Sequence, residues 1–182
     1  MHFAYILAAT LPAILILFYV YKQDKFPEPK AIVFKTFLFG CGITLGVELF
    51  IPVIDNYSKN FFDGETFYFF NSFIRAAFLE ELFKLFIIVF YCCRKVDFDE
   101  PMDGLVYGVA ASLGYAAYEN IEYVLYFYKD PSFEIAYIRA ISAIPLHALT
   151  GVIMGFLITQ SIFESKYNYL NLLLALLIPV LV

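Results

Sequence analysis

The chain alternates long apolar stretches with short polar connections. A bilayer span needs about 20 apolar residues. Stretches of that order cover 3–21, 31–54, 67–93, 102–128 and 133–163, and a shorter one covers 169–182. The third and fifth are long enough to tilt or to extend past the hydrocarbon. The sixth contains Pro179 and reaches Val182 without a polar flank, the pattern of a span cut short. The first, Phe3 to Tyr21, lacks the basic leader and small-residue cleavage site of a signal peptide, so it reads as a retained helix. The pattern predicts an all-α, polytopic transmembrane helix bundle of about six spans, with 1–182 as one transmembrane domain.

The connections run from Lys22 to Lys30, Asp55 to Glu65, Arg94 to Glu100, Lys129 to Ser132 and Glu164 to Asn168. In the first, Pro27 and Pro29 fix their own φ and restrict their predecessors, which predicts a rigid, extended link from Asp24 to Pro29. Lys22, Lys25, Lys30, Arg94, Lys95 and Lys166 fall in the odd-numbered connections, and only Lys59 and Lys129 in the even ones. Positive charge stays in the cytoplasm, so the N-terminus is expected outside. The pairs Gly42/Gly46, Gly104/Gly108 and Gly151/Gly155 predict close helix approach. Pro145 removes a backbone hydrogen bond and is expected to kink the fifth span near Ile141.

Composition supports the membrane reading. The chain is 62% hydrophobic and 16% charged, with mean hydropathy +0.76. Soluble domains are about half apolar and a quarter charged. A net charge of −5 supplies no basic surface for nucleic acid. Cys41, Cys92 and Cys93 all lie in apolar stretches and read as small hydrophobic fillers.

Against this background the buried polar residues stand out. A charge at bilayer depth costs about 2.5–3.5 kcal/mol on insertion scales. The third span carries Glu80, Glu81 and Lys84, the fourth Glu119, Asn120 and Glu122, and the fifth His147. Helical spacing puts Glu80 and Lys84 one turn apart on one face, with Glu81 about 100° round. Gly104, Gly108, Ala111, Tyr115, Glu119 and Glu122 share a broad face of the fourth span. At about 1.5 Å rise per residue, Glu80, Glu119 and His147 reach one layer of the bundle. Arg75 and Glu122 are assigned to the interface or a wet cavity, outside the site. Asp103 suits a helix N-terminus, where a carboxylate favours the dipole.

Peptide hydrolysis in a membrane needs an activated water, a general acid and an oxyanion stabiliser. Carboxyls in an apolar site, an imidazole, an amide and a lysine can supply these roles. The same atoms could instead hold zinc through Glu81, Glu119 and His147. One intramembrane histidine and no HExxH make zinc the weaker alternative, and no cofactor is expected. Two non-enzymatic readings compete. One is a proton- or ion-coupled transporter, which the lack of a two-fold repeat speaks against. The other is a membrane binding or immunity-type protein.

At these residues the chain resembles the PrsW family of bacterial glutamic-type intramembrane proteases, which is related to the CAAX-processing and bacteriocin-processing membrane proteases. The resemblance rests on Asp24…Glu28-Pro29, Glu80-Glu81-x-x-Lys84 and Asp103-Gly104-x-x-Tyr107-Gly108. It continues through Gly114-x-x-x-x-Glu119-Asn120 and His147-x-x-x-Gly151. It implies site-specific cleavage of a membrane-anchored protein, typified by an anti-sigma factor in envelope-stress signalling, in the bacterial inner membrane. It also implies that Glu80, Glu81, Glu119 and His147 are catalytic, with Lys84, Asn120 and Asp103 supporting. A Leu-His-Gly segment, usual in the family, is expected beyond the sixth span.

Overall fold

The computed structural model describes residues 2–127, 130–164 and 168–182. Lys129 and Lys166 of the charge argument lie outside the described residues, as does the side chain of Arg75. Helix α1 is His2–Gln23 and α2 is Lys30–Ser58. Next come α3, Gly64–Ser72, a π-helical segment Phe73–Leu79, α4, Glu80–Ile87, and a second π-helical segment Ile88–Cys92. Helix α5 is Pro101–Glu122 and continues as π-helix through Phe127. The last three are α6, Phe133–Ile141, α7, Ala143–Thr159, and α8, Tyr169–Leu181.

His2–Gln23, Lys30–Ser58 and Phe133–Phe163 are long and apolar enough to cross a membrane, and Tyr169–Leu181 is a shorter apolar helix. The third and fourth expected spans are unbroken helical paths from Gly64 to Cys92 and from Pro101 to Phe127. Their polar residues lower their hydropathy. Large apolar side chains such as Phe18, Phe34, Leu49, Phe69 and Tyr137 point outward, as they do when lipid rather than water is the surrounding solvent.

Helix α5 is the central post, packed by α7, α2 and α1. Val106, Tyr107, Val109, Ala110, Ala111, Leu113 and Ala116 on it are fully buried. Small residues allow this enclosure. A Cβ on Gly155 would strike the backbone of Gly104, and one on Gly151 the carbonyl of Gly108, so the two predicted pairs on α5 and α7 interlock. The Gly42/Gly46 pair behaves differently. A Cβ on Gly42 meets nothing, and one on Gly46 meets only the Phe83 ring at 3.8 Å. The α2–α5 contact is made instead by Gly40 against Ala111 and by Gly114 against Phe37. A motif of spaced glycines does not say which face meets a neighbour.

The fifth span breaks at Ser142, beside the expected Ile141. Pro145 has no N–H to donate back along the helix, and α6 ends as α7 begins. The cysteines are free, and Cys92 packs in the core with its sulfur 3.3 Å from the Thr36 hydroxyl.

Candidate active site

Helices α4, α5, α6 and α7 each bring between one and three polar side chains to a common layer. The π-helical segment Phe73–Leu79 ends where Glu80 begins. Such widened turns recur at functional sites. Glu80 and Glu81 then project from the first turn of α4.

Lys84, fully buried, donates to Glu81 Oε1 at 2.7 Å. Spacing put Glu80, at i−4, on the same face as Lys84; the observed partner is Glu81 at i−3. The reason lies in neighbouring helices. Glu80 turns to the Tyr115 hydroxyl of α5, while the Lys84 ammonium lies 4.7 Å from the Tyr115 ring centre and 3.3 Å from His147 Nδ1. An ammonium can only donate, so His147 Nδ1 accepts and its Nε2–H faces Glu119. His147 Nε2 is 3.4 Å from Glu119 Oε2. The Tyr115 and His147 rings meet edge to face at 5.4 Å.

Glu119 also accepts from Arg139 Nη2. Arg139 Nε donates to Asn120 Oδ1, and Asn120 Nδ2 donates to the Ala9 carbonyl of α1 at 3.2 Å. The Arg139 guanidinium covers the Tyr123 ring at 4.0 Å. A continuous polar chain therefore runs from Glu81 through Lys84, His147 and Glu119 to Arg139 and Asn120.

This chain borders a cavity of about 520 Å³. Glu80, Tyr115 and Glu119 form its inner wall, Thr44, Val47 and Ile51 one side, and Tyr123, Tyr126 and Phe127 another. Glu48 of α2 and Glu122 of α5 line it too, and their carboxyls face each other. Its size and its apolar walls with a few convergent polar groups suit a ligand-binding cavity.

The structure brings together Glu80, Glu81, Lys84, Glu119 and His147, as the common-layer argument expected. Asn120 sits behind the layer, tying Arg139 to α1. Asp103 does not join them. It lies about 24 Å away along α5, where its Oδ2 accepts the N–H groups of Asp99 and Glu100 at 2.8 and 2.7 Å. That is the helix-start role its position suggested. Glu122, assigned outside the site, lines the cavity. The sequence reading overlooked Arg139 and Glu48. Both carried the signal used elsewhere, a charge inside an apolar stretch.

The family described as "PrsW family intramembrane metalloprotease" matches residues 28–182. Protease PrsW of Oceanobacillus iheyensis is 34% identical over 177 residues, which cover 96% of this chain and 77% of that relative. Protease PrsW of Bacillus subtilis is 36% identical over 179 residues, covering 97% and 78%. Protease PrsW of Clostridioides difficile is 29% identical over 178 residues, covering 96% and 74%. No solved structure matches.

The description as a metalloprotease raises the question of a metal. One imidazole and several carboxylates are the right donors for zinc. Their arrangement is not. The Lys84 ammonium stands between Glu81 and His147, and Arg139 occupies Glu119. Among the described residues, no three of Glu80, Glu81, Glu119 and His147 bring ligand atoms within 4.8 Å of one another. As placed, these side chains do not form a metal cage, and no step below passes through one.

Proposed function

This chain belongs to the PrsW family of intramembrane proteases, and from that premise we propose that it is an endopeptidase hydrolysing a membrane-anchored protein with a glutamate-activated water. The observation that supports this most is the Glu81–Lys84–His147–Glu119 chain, which reaches a cavity among apolar helices through Glu119, beside Glu80 and Tyr115 on the same wall.

The roles follow from position. Glu80 lines the cavity and takes a proton from the attacking water as the water oxygen bonds to the scissile carbonyl carbon. The Tyr115 hydroxyl lies beside the developing oxyanion. Collapse breaks the C–N bond. Glu80 gives the proton it took from the water to the departing nitrogen, while the neutral His147 stays with Nδ1 toward Lys84 and Nε2–H toward Glu119 and orders the layer behind it. Glu119, held by Arg139, keeps the imidazole in that tautomer. Glu81 spends Oε1 on Lys84 and keeps a buried, unpartnered Oε2 for the water or for a substrate N–H. Lys84 and Asn120 are positioning residues. The substrate is a membrane-anchored protein of the anti-sigma-factor type, and the enzyme lies in the bacterial inner membrane with its N-terminus outside.

The test is cleavage of a membrane-anchored reporter in cells. Glu81→Gln and His147→Ala are each expected to abolish it while the protein still accumulates and migrates as folded in detergent. Undiminished cleavage by either variant would overturn the assignment. Metal content of the purified protein separates the mechanisms: stoichiometric zinc that activity requires would replace the glutamic route with a metal-assisted one.

A further inference from the structure

A second polar cluster lies at the far end of α5, where the α1–α2 connection meets the start of that helix. One carboxylate oxygen each from Asp24, Glu100 and Asp103 lies within 4.8 Å of the other two. Asp24 is 7% exposed and Asp103 1%. Each of these aspartates spends one oxygen on backbone: Asp24 Oδ1 accepts from Phe26 N–H at 2.9 Å, and Asp103 Oδ2 accepts from Asp99 and Glu100. The other oxygen of each, Asp24 Oδ2 and Asp103 Oδ1, is buried with no partner.

Buried carboxylate oxygens are expensive to leave unmatched. Among the described residues no lysine or arginine forms a salt bridge with any of the three. The backbone bonds lock both carboxylates in orientation, as outer hydrogen bonds do for metal ligands. Below them Tyr107 donates to Glu28 Oε2, closing the floor with a group that is 3% exposed. All the donors are hard oxygens, the set chosen by magnesium and calcium rather than by zinc or copper.

We propose that Asp24, Glu100 and Asp103 form a binding site for a hard divalent cation, which clamps the α1–α2 connection to the N-terminal turn of α5. The site is separate from the cavity described above and does not depend on its chemistry. The ion adds to the Tyr107–Glu28 hydrogen bond as a second link between the two segments and offsets the repulsion among the three carboxylates. Water completes its coordination through the rim at Glu100, which is half-buried.

Terbium(III) tests this in the full protein in nanodiscs, because tyrosine emission sensitises terbium and Tyr107 is next to the cluster. Saturable luminescence is expected, displaced by calcium, manganese or magnesium. Asp24→Asn and Glu100→Gln should each weaken it by more than about tenfold. Asp24→Asn keeps an oxygen for Phe26, and Glu100→Gln keeps one for the capping box that Glu100 shares with Asp103 at the start of α5, so both are expected to fold. Saturating calcium or magnesium should raise the unfolding temperature of the native protein by roughly 5 °C and that of the variants by far less. Glu119→Gln should leave the signal intact. No saturable luminescence, or a signal unchanged in Asp24→Asn and Glu100→Gln, would overturn the proposal. So would a signal lost in Glu119→Gln, which would put the ion in the cavity.

Discussion

Lys84 has no exposed surface and serves three partners at once: Glu81, the Tyr115 ring and His147. Removing one member of a buried ion pair leaves the other charge without compensation, at about 3–5 kcal/mol. Lys84→Met is therefore expected to lower thermal stability sharply as well as to stop cleavage. Lys84→Arg should not rescue it, because a planar guanidinium cannot meet Glu81, His147 and the Tyr115 ring from one point as the ammonium does. Thermal unfolding in detergent alongside the reporter assay reads both effects. Glu28 makes a different prediction. Burial pushes its carboxyl up from 4.5 to about 8. Between those values the folded chain holds a proton that the unfolded chain has lost, so stability falls as pH rises through that window. In chelator-treated protein, unfolding temperatures from pH 5 to 9 should show this decline, and Glu28→Gln should flatten it. An equal slope in the variant would contradict the assignment to Glu28.

The helices illustrate how far spacing alone can be read. The Gly104/Gly108 and Gly151/Gly155 pairs meet backbone to backbone, whereas Gly42 faces open space. Gly155→Ala is expected to destabilise the α5–α7 crossing by about 1–3 kcal/mol, since a backbone carbonyl cannot move aside as a side chain can. Gly42→Ala should be neutral or slightly stabilising, because alanine favours helix. Matched thermal melts of the two variants check this, and equal losses would contradict the packing described. Both substitutions look alike in sequence. The break at Ser142 was legible from Pro145, because its cause is local: a missing N–H within one helix. The turn of Lys84 toward Glu81 was not, because its cause is Tyr115 and His147 on other helices.

For the whole molecule, orientation in the bilayer decides what the cavity can reach. Its lining reaches Tyr123, Tyr126 and Phe127, at the end of α5 that leads to the Lys129–Ser132 connection, the side that the proposed orientation puts outside. With the native cysteines replaced, a cysteine at Asn60 should react with a membrane-impermeant thiol reagent in intact cells, and one at Val96 only after lysis. The reverse pattern would invert the topology and put the cavity mouth in the cytoplasm. The sequence by itself determined that this chain lives in a membrane, roughly where its helices run, and that Glu80, Glu119 and His147 share a depth. Those conclusions depend on hydropathy and on helical rise, which are properties of one segment at a time. Only the tertiary structure decided that Glu81 rather than Glu80 pairs with Lys84, that Arg139, itself fixed by Asn120, holds Glu119, and that Asp103 belongs with Asp24 and Glu100 at the opposite end. Those pairings depend on how each helix is rotated about its axis. That rotation is set by contacts such as Gly104 on Gly155 and Gly40 on Ala111, between residues far apart in the chain.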